Sequence, residues 1–209
     1  MCIVLVTGFN VYGGYQVNPS AEIAEALKGL QLACCRVESI VLPVSLKRAP
    51  RLLEEAVEKY KPSAIVSMGL APRLHRVALE LAAVSIAHFP DYPDEDSYRA
   101  ELEPVDGGLE ALTPTIPVEE VYEECARRRG LPLTVGVSAG TYLCNVVAYT
   151  AYKLARRHSI MAGFLHLPPT SELALRHGIP HSLPLWEQLE TVRCILGVLA
   201  HKACSSTRQ

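Results

Sequence analysis

The sequence predicts an α/β fold, a mainly parallel or mixed central sheet with helices on both faces. Three observations predict it. Short apolar runs bounded by turn residues alternate with segments of helical periodicity, the pattern of parallel strands joined by crossover helices. The 209 residues suit one domain, with 88–115 as a long loop or small excursion. A hydrophobic fraction of 49% supplies a sizeable core.

In order, Cys2–Thr7 is a short apolar run ending at Gly8, a buried strand. Gly8 to Pro19 is a glycine-rich loop. Asn18-Pro19-Ser20 opens a helix, since Pro suits a first turn and Ala21, Ile23, Ala24 and Leu27 form a stripe. Cys34–Val44 is a second strand, ended near Pro43. Lys47–Tyr60 is an amphipathic helix with Leu52, Leu53, Ala56 and Val57 on one face. Pro62–Gly69 is a third buried strand and turn. Arg76–Ala87, dense in Val, Leu, Ala and Ile, is favoured as a strand, although Ala and Leu also permit a helix.

The stretch 88–115 is rich in Pro, Asp, Glu and Gly. Val118–Arg129 is a helix closed by Gly130, with basic residues in its last turn. Leu133–Val137 is a strand, Thr141–His158 a helix, and Ile160–Leu167 a strand ended by Pro168. A loop then leads to a C-terminal helix from about Pro184 to Lys202.

A net charge of −2, with no basic tract interleaved with aromatics, gives no electrostatic argument for nucleic acid or an anionic membrane. Met1–Thr7 lacks a basic leader and is expected to be a strand, not a signal peptide. No apolar run approaches the ~20 residues of a membrane span. The expectation is a cytoplasmic protein. The seven cysteines contain no CxxC pair, which removes zinc-ribbon and thioredoxin readings. Their odd number is expected of free intracellular thiols, with pairing reserved for a hyperthermophilic source.

The stretch Ser138-Ala-Gly-Thr-Tyr-Leu-Cys144-Asn145 places a cysteine near a helix start, behind a tight turn at Gly140. Ser138 is expected to cap that helix. A thiol attacks as thiolate, and both a helix N-terminus and a nearby imidazole favour that form. His166 ends the strand Met161-Ala-Gly-Phe-Leu-His166, and carboxyl strand ends are where such sheets place reactive groups. Cys125 and Cys194, in helices without a preceding glycine turn, read as packed hydrophobes. Glu80 lies within Val77-Ala-Leu-Glu80-Leu-Ala-Ala-Val84. It either orients His166 or points to solvent, and the residues alone leave the two even. The loop Gly8-Phe9-Asn10-Val11-Tyr12-Gly13-Gly14 has no Lys and neither common phosphate-loop spacing. Its aromatics suit the apolar wall of a small-ligand pocket.

Together these pieces resemble the pyrrolidone carboxyl peptidases, the type I pyroglutamyl peptidases. The resemblance rests on Gly8 to Gly14 with Asn18-Pro19-Ser20, on Gly69-Leu70-Ala71-Pro72 with Glu80, on Ser138 to Asn145, and on Gly163 to Pro168. It covers nearly the whole chain. It implies a three-layer α/β/α sandwich, a homotetramer, and a Cys144-His166-Glu80 triad acting through an acyl-enzyme without metal or cofactor. It implies N-terminally pyroglutamylated peptides as substrates, with Phe9, Tyr12, Tyr142 and Leu143 binding the lactam.

The chain departs from the family pattern over 72–92. Arg73-Leu74 replaces a Gly-Arg pair, and the family's arginine near the oxyanion has no counterpart, His88 being nearest. A second reading follows, a triad-retaining relative that binds or acts on another acyl group. A third is a nucleoside- or phosphate-binding protein using Gly8–Gly14.

Overall fold

The computed structural model describes residues 2–206. The elements are β1 (Cys2–Phe9), α1 (Pro19–Leu27), β2 (Gln31–Leu32), β3 (Cys35–Leu42), α2 (Arg48–Tyr60), β4 (Ala64–Leu70) and β5 (Val77–Glu80). There follow four two-residue strands, β6 (Ala83–Val84), β7 (Ile86–Ala87), β8 (Glu103–Pro104) and β9 (Ala111–Leu112). Next come α3 (Val118–Val121), a π-helical continuation (Tyr122–Arg128), β10 (Leu133–Gly136), α4 (Leu143–His158), β11 (Met161–Leu167), α5 (Ser171–His177) and α6 (Leu185–Ser206).

The seven-stranded sheet has the order β10-β5-β11-β4-β1-β3-β2. β3, β1, β4 and β11 run parallel. β5 lies antiparallel to β11, and β10 runs parallel to β5. The sheet is therefore mixed, and the fold is an α/β sandwich. Side-chain alternation assigns its two faces. Val4, Val6, Val66, Leu165 and Leu167 pack with α1 and α6; Leu5, Ile65, Ala162 and Phe164 pack with α2 and α4. His166 has the parity of Phe164 and so faces α4. The central strands read as unbroken apolar runs because both faces are covered.

Four expectations change. The expected strand Arg76–Ala87 is broken: β5 stops at Glu80, Leu81 is exposed, and the chain leaves the sheet to pair β6 with β9 and β7 with β8. The expected loop after Pro168 contains α5, capped by Thr170 Oγ1, which accepts from Leu173 N at 3.2 Å, and ended by Gly178 at φ +63°. The helix expected over Val118–Arg129 turns to π pitch after Val121.

The fourth concerns the thiols. Cys2–Cys35, Cys34–Cys204 and Cys125–Cys194 are disulfides, so Cys125 and Cys194 are a bonded pair rather than separate packed thiols. Sequence separations of 33, 170 and 69 gave no local sign of pairing. Cys144 is the remaining free thiol.

Candidate active site

β11 carries His166 to the rim of the sheet, and the antiparallel β5 brings Glu80 beside it. His166 pairs with Ala78 across the β5 ladder, so Glu80 falls two residues on, on the same face. His166 Nδ1 lies 2.8 Å from Glu80 Oε1, with both side chains largely buried. Glu80 is held from the backbone too, where its carbonyl accepts from the Tyr152 hydroxyl at 3.0 Å. The even choice over Glu80 is resolved in favour of burial.

Cys144 is the second residue of α4, and its thiol is half-buried. The helix begins at Leu143, two residues later than expected. Ser138 does not cap it: Tyr142 holds the N-cap position without a side-chain bond, and Ser138 Oγ accepts instead from Gly140 N at 3.2 Å. The first-turn N–H groups therefore lie beside the thiol without a capping side chain.

His166 hydrogen-bonds Glu80, and Cys144 lies near enough to act on its charge. With Nδ1 on the carboxylate, Nε2 is left for the sulfur. Burial alone would lower the imidazole pKa. The interaction with Cys144, followed by the hydrogen bond and charge of Glu80, outweighs it and pushes the value up to about 10.

Two glycines make this convergence possible. A Cβ on Gly69, the β4 partner of His166, would lie 2.5 Å from Cys144 Sγ. One on Gly136, the β10 partner of Glu80, would lie 2.2 Å from Glu80 Oε2. Sequence reasoning missed the role of both, and also that of Asn145. Asn145 Oδ1 accepts from Val84 N at 2.8 Å, and its Nδ2 donates to Val84 O at 2.8 Å and Ile86 O at 3.0 Å. It fastens the β6–β7 segment to α4 one residue beyond the thiol.

A cavity of about 280 Å³ opens beside Cys144. Phe9, Tyr12, Tyr142 and Leu143 all line it, joined by Tyr15, Val44, Leu70 and Tyr92, which sequence reasoning did not single out. Tyr142 donates to Pro93 O at 3.0 Å, and Tyr12 donates to the same oxygen. Burial, with the Tyr12 hydroxyl alongside, pushes the Tyr142 phenol well above its usual range. Asn18 and Ser20 fix the loop around Tyr12: Asn18 Nδ2 donates to Asn10 O at 3.0 Å, and Ser20 Oγ accepts from Phe9 N at 2.9 Å. Among the described residues no Lys, Arg, Asp or Glu lines this space. His88 is exposed, and its Nδ1 accepts from Leu102 N at 3.3 Å.

Residues 2–202 match the family model described as pyroglutamyl peptidase. The chain belongs to the pyroglutamyl peptidase family. The pyrrolidone-carboxylate peptidase of Pyrococcus furiosus is 33% identical over 202 residues, covering 93% of this chain and 96% of the relative. That of Thermococcus litoralis is 36% identical over 176 residues, covering 81% and 77%. Solved structures of the pyrrolidone carboxyl peptidases from these two organisms superpose with a TM-score of 0.91, at 31% and 32% identity. The first covers 96% of this chain and 99% of that one; the second covers 99% and 96%. Among the described residues of this family member, no helix is long and apolar enough to cross a membrane.

Proposed function

We propose that the chain is a cysteine exopeptidase that removes an N-terminal pyroglutamyl residue from peptides. The observation that supports it most is the Glu80–His166 hydrogen bond at the sheet rim together with Cys144 in the wall of an uncharged aromatic cavity. Pyroglutamate is a flat, neutral lactam with no α-ammonium, so its pocket needs aromatic faces and backbone hydrogen bonds rather than a carboxylate anchor.

In this reading Cys144 Sγ attacks the pyroglutamyl carbonyl carbon. The first-turn N–H groups of α4 receive the charge that develops on oxygen. His166 gives its proton to the leaving amine, and a thioacyl-enzyme remains. His166 then takes a proton from water, the hydroxide adds to the thioester, and pyroglutamate leaves as Cys144 is restored. Glu80 holds the imidazole in the productive tautomer and balances its charge. Phe9, Tyr12, Tyr142 and Leu143 hold the lactam. No step calls for a metal or cofactor.

We read the chain as one domain, with 88–115 as an excursion, that works in the cytoplasm as a homo-oligomer, a tetramer by resemblance. Three disulfides fit that compartment best in a hyperthermophilic source. Cell fractionation and sedimentation test these two points. For the activity, a fluorogenic pyroglutamyl amide is the assay. Release by the wild type with loss in Cys144→Ala is expected; equal slow release by both would end this reading.

The absence of a cationic side chain from the cavity lining favours a second reading, a triad retained for another acyl substrate. Alkylation of Cys144 much faster than that of an unactivated thiol, without pyroglutamyl hydrolysis, would establish it. The same lining offers no cation to a phosphate, which removes support from a nucleotide-binding role.

A further inference from the structure

Two of the disulfides meet at one corner of the molecule. Cys2 opens β1, Cys35 opens β3 directly beside it, Cys34 lies in the turn before β3, and Cys204 lies near the end of α6. Besides the two bonds, Cys35 Sγ is 4.0 Å from Cys34 Sγ and 3.9 Å from Cys204 Sγ. The sulfurs of Cys2, Cys34 and Cys35 all lie within 4.8 Å of one another. Three sulfurs are thus mutually close, and Cys204 joins them through its bond to Cys34 and its contact with Cys35. The group is open to solvent on its outer side: Cys34 is exposed, and a cavity of about 450 Å³ lined by Ala33, Cys34, His201, Cys204 and Ser205 leads to it.

A zinc-class ion takes four thiolates at about 2.3 Å in a tetrahedron, which puts neighbouring sulfurs about 3.8 Å apart. The two non-bonded contacts already have that separation. A tetrahedron requires the two bonded pairs to open and Cys204 to draw towards Cys2, a change made by side-chain rotation.

We propose that, when both disulfides are reduced, Cys2, Cys34, Cys35 and Cys204 hold one soft divalent cation as a tetrathiolate. Reduction takes four electrons and four protons from two dithiol molecules, each of which closes to its own disulfide. The cation then displaces the four thiol protons. The start of β1, the β2–β3 turn and the end of α6 remain tied in either state, by sulfur–sulfur bonds under oxidation and by the metal under reduction. The site has no CxxC signature because its ligands meet only in the fold, and it does not depend on the peptidase reading.

The test uses the full chain with Cys144→Ser, Cys125→Ser and Cys194→Ser, so that the four cluster cysteines are the thiols that remain after reduction. The protein is reduced with a phosphine under anaerobic conditions and titrated with cobalt(II), with folding followed by circular dichroism. The expected result is a thiolate-to-cobalt charge-transfer band that saturates at one equivalent and is displaced by one equivalent of zinc. The band should disappear in Cys34→Ser and in Cys204→Ser. Absence of the band, its persistence in either variant, or a reduced chain that unfolds and does not refold with zinc would each overturn the proposal.

Discussion

Glu80 and Gly136 face each other across the parallel β5–β10 ladder, and the carboxylate of one occupies the space where a side chain on the other would be. A Cβ at position 136 would stand 2.2 Å from Oε2 and 2.5 Å from Oε1. The 2.8 Å contact with His166 therefore depends on the absence of an atom on a neighbouring strand. In Gly136→Ala the carboxylate must shift. Displacement on the order of an ångström costs about 100-fold in rate. We expect kcat on a pyroglutamyl amide to fall by roughly that factor with KM little changed; a variant within about threefold of wild type would show that Glu80 does not orient the imidazole.

Glu80→Gln asks the same question through the proton. An amide at this position can donate to Nδ1 and so favour the wrong tautomer. The expected loss in kcat is on the order of 1,000- to 10,000-fold. The basic limb of the pH–rate profile should also move to lower pH, because the carboxylate helps to hold the imidazole proton up to about 10.

That raised value carries a stability prediction. The folded state binds the His166 proton more tightly than the unfolded chain, so the contribution is complete below about 6.5 and is lost as pH rises through about 10. Melting curves of wild type and His166→Gln should differ most at the acid end of this window and converge at its alkaline end. A gap that widened with pH would contradict the assignment.

Asn145→Ala removes three hydrogen bonds between α4 and the segment that leaves β5. We expect a loss of about 2–4 kcal/mol, seen in denaturant unfolding. The Tm should fall by roughly 2–4 °C for each kcal/mol. Alkylation of Cys144 should also slow, since the first turn of α4 is no longer anchored.

The Cys125–Cys194 bond joins the π-helical turn to α6, on the sheet face opposite Cys144. Replacing both residues by Ser should lower stability by about 2–4 kcal/mol. The kinetic constants of the remaining folded protein should be unchanged. A drop in kcat without loss of stability would mean that the two faces of the sheet are coupled.

The residues of the candidate site were legible because each carried a local sign. Cys144 followed a glycine turn at a helix start, His166 closed an apolar strand, and Glu80 was a carboxylate inside an apolar run. What supports them was not. Gly69 and Gly136 matter for the volume they leave empty, and that volume is defined by residues far away in sequence. The reversed direction of β5 was equally invisible, since an apolar run does not encode which way its strand points. Ser138 misled for a related reason: a hydroxyl near a helix start suits a cap, but here it turns back on Gly140. The disulfides join residues that only the finished fold brings together.

Pairing six of the seven cysteines leaves the molecule with a single titratable sulfur. In the oxidised protein, a count of reactive thiols is therefore a count of intact Cys144 side chains. A preparation could be standardised by that number before any substrate is added.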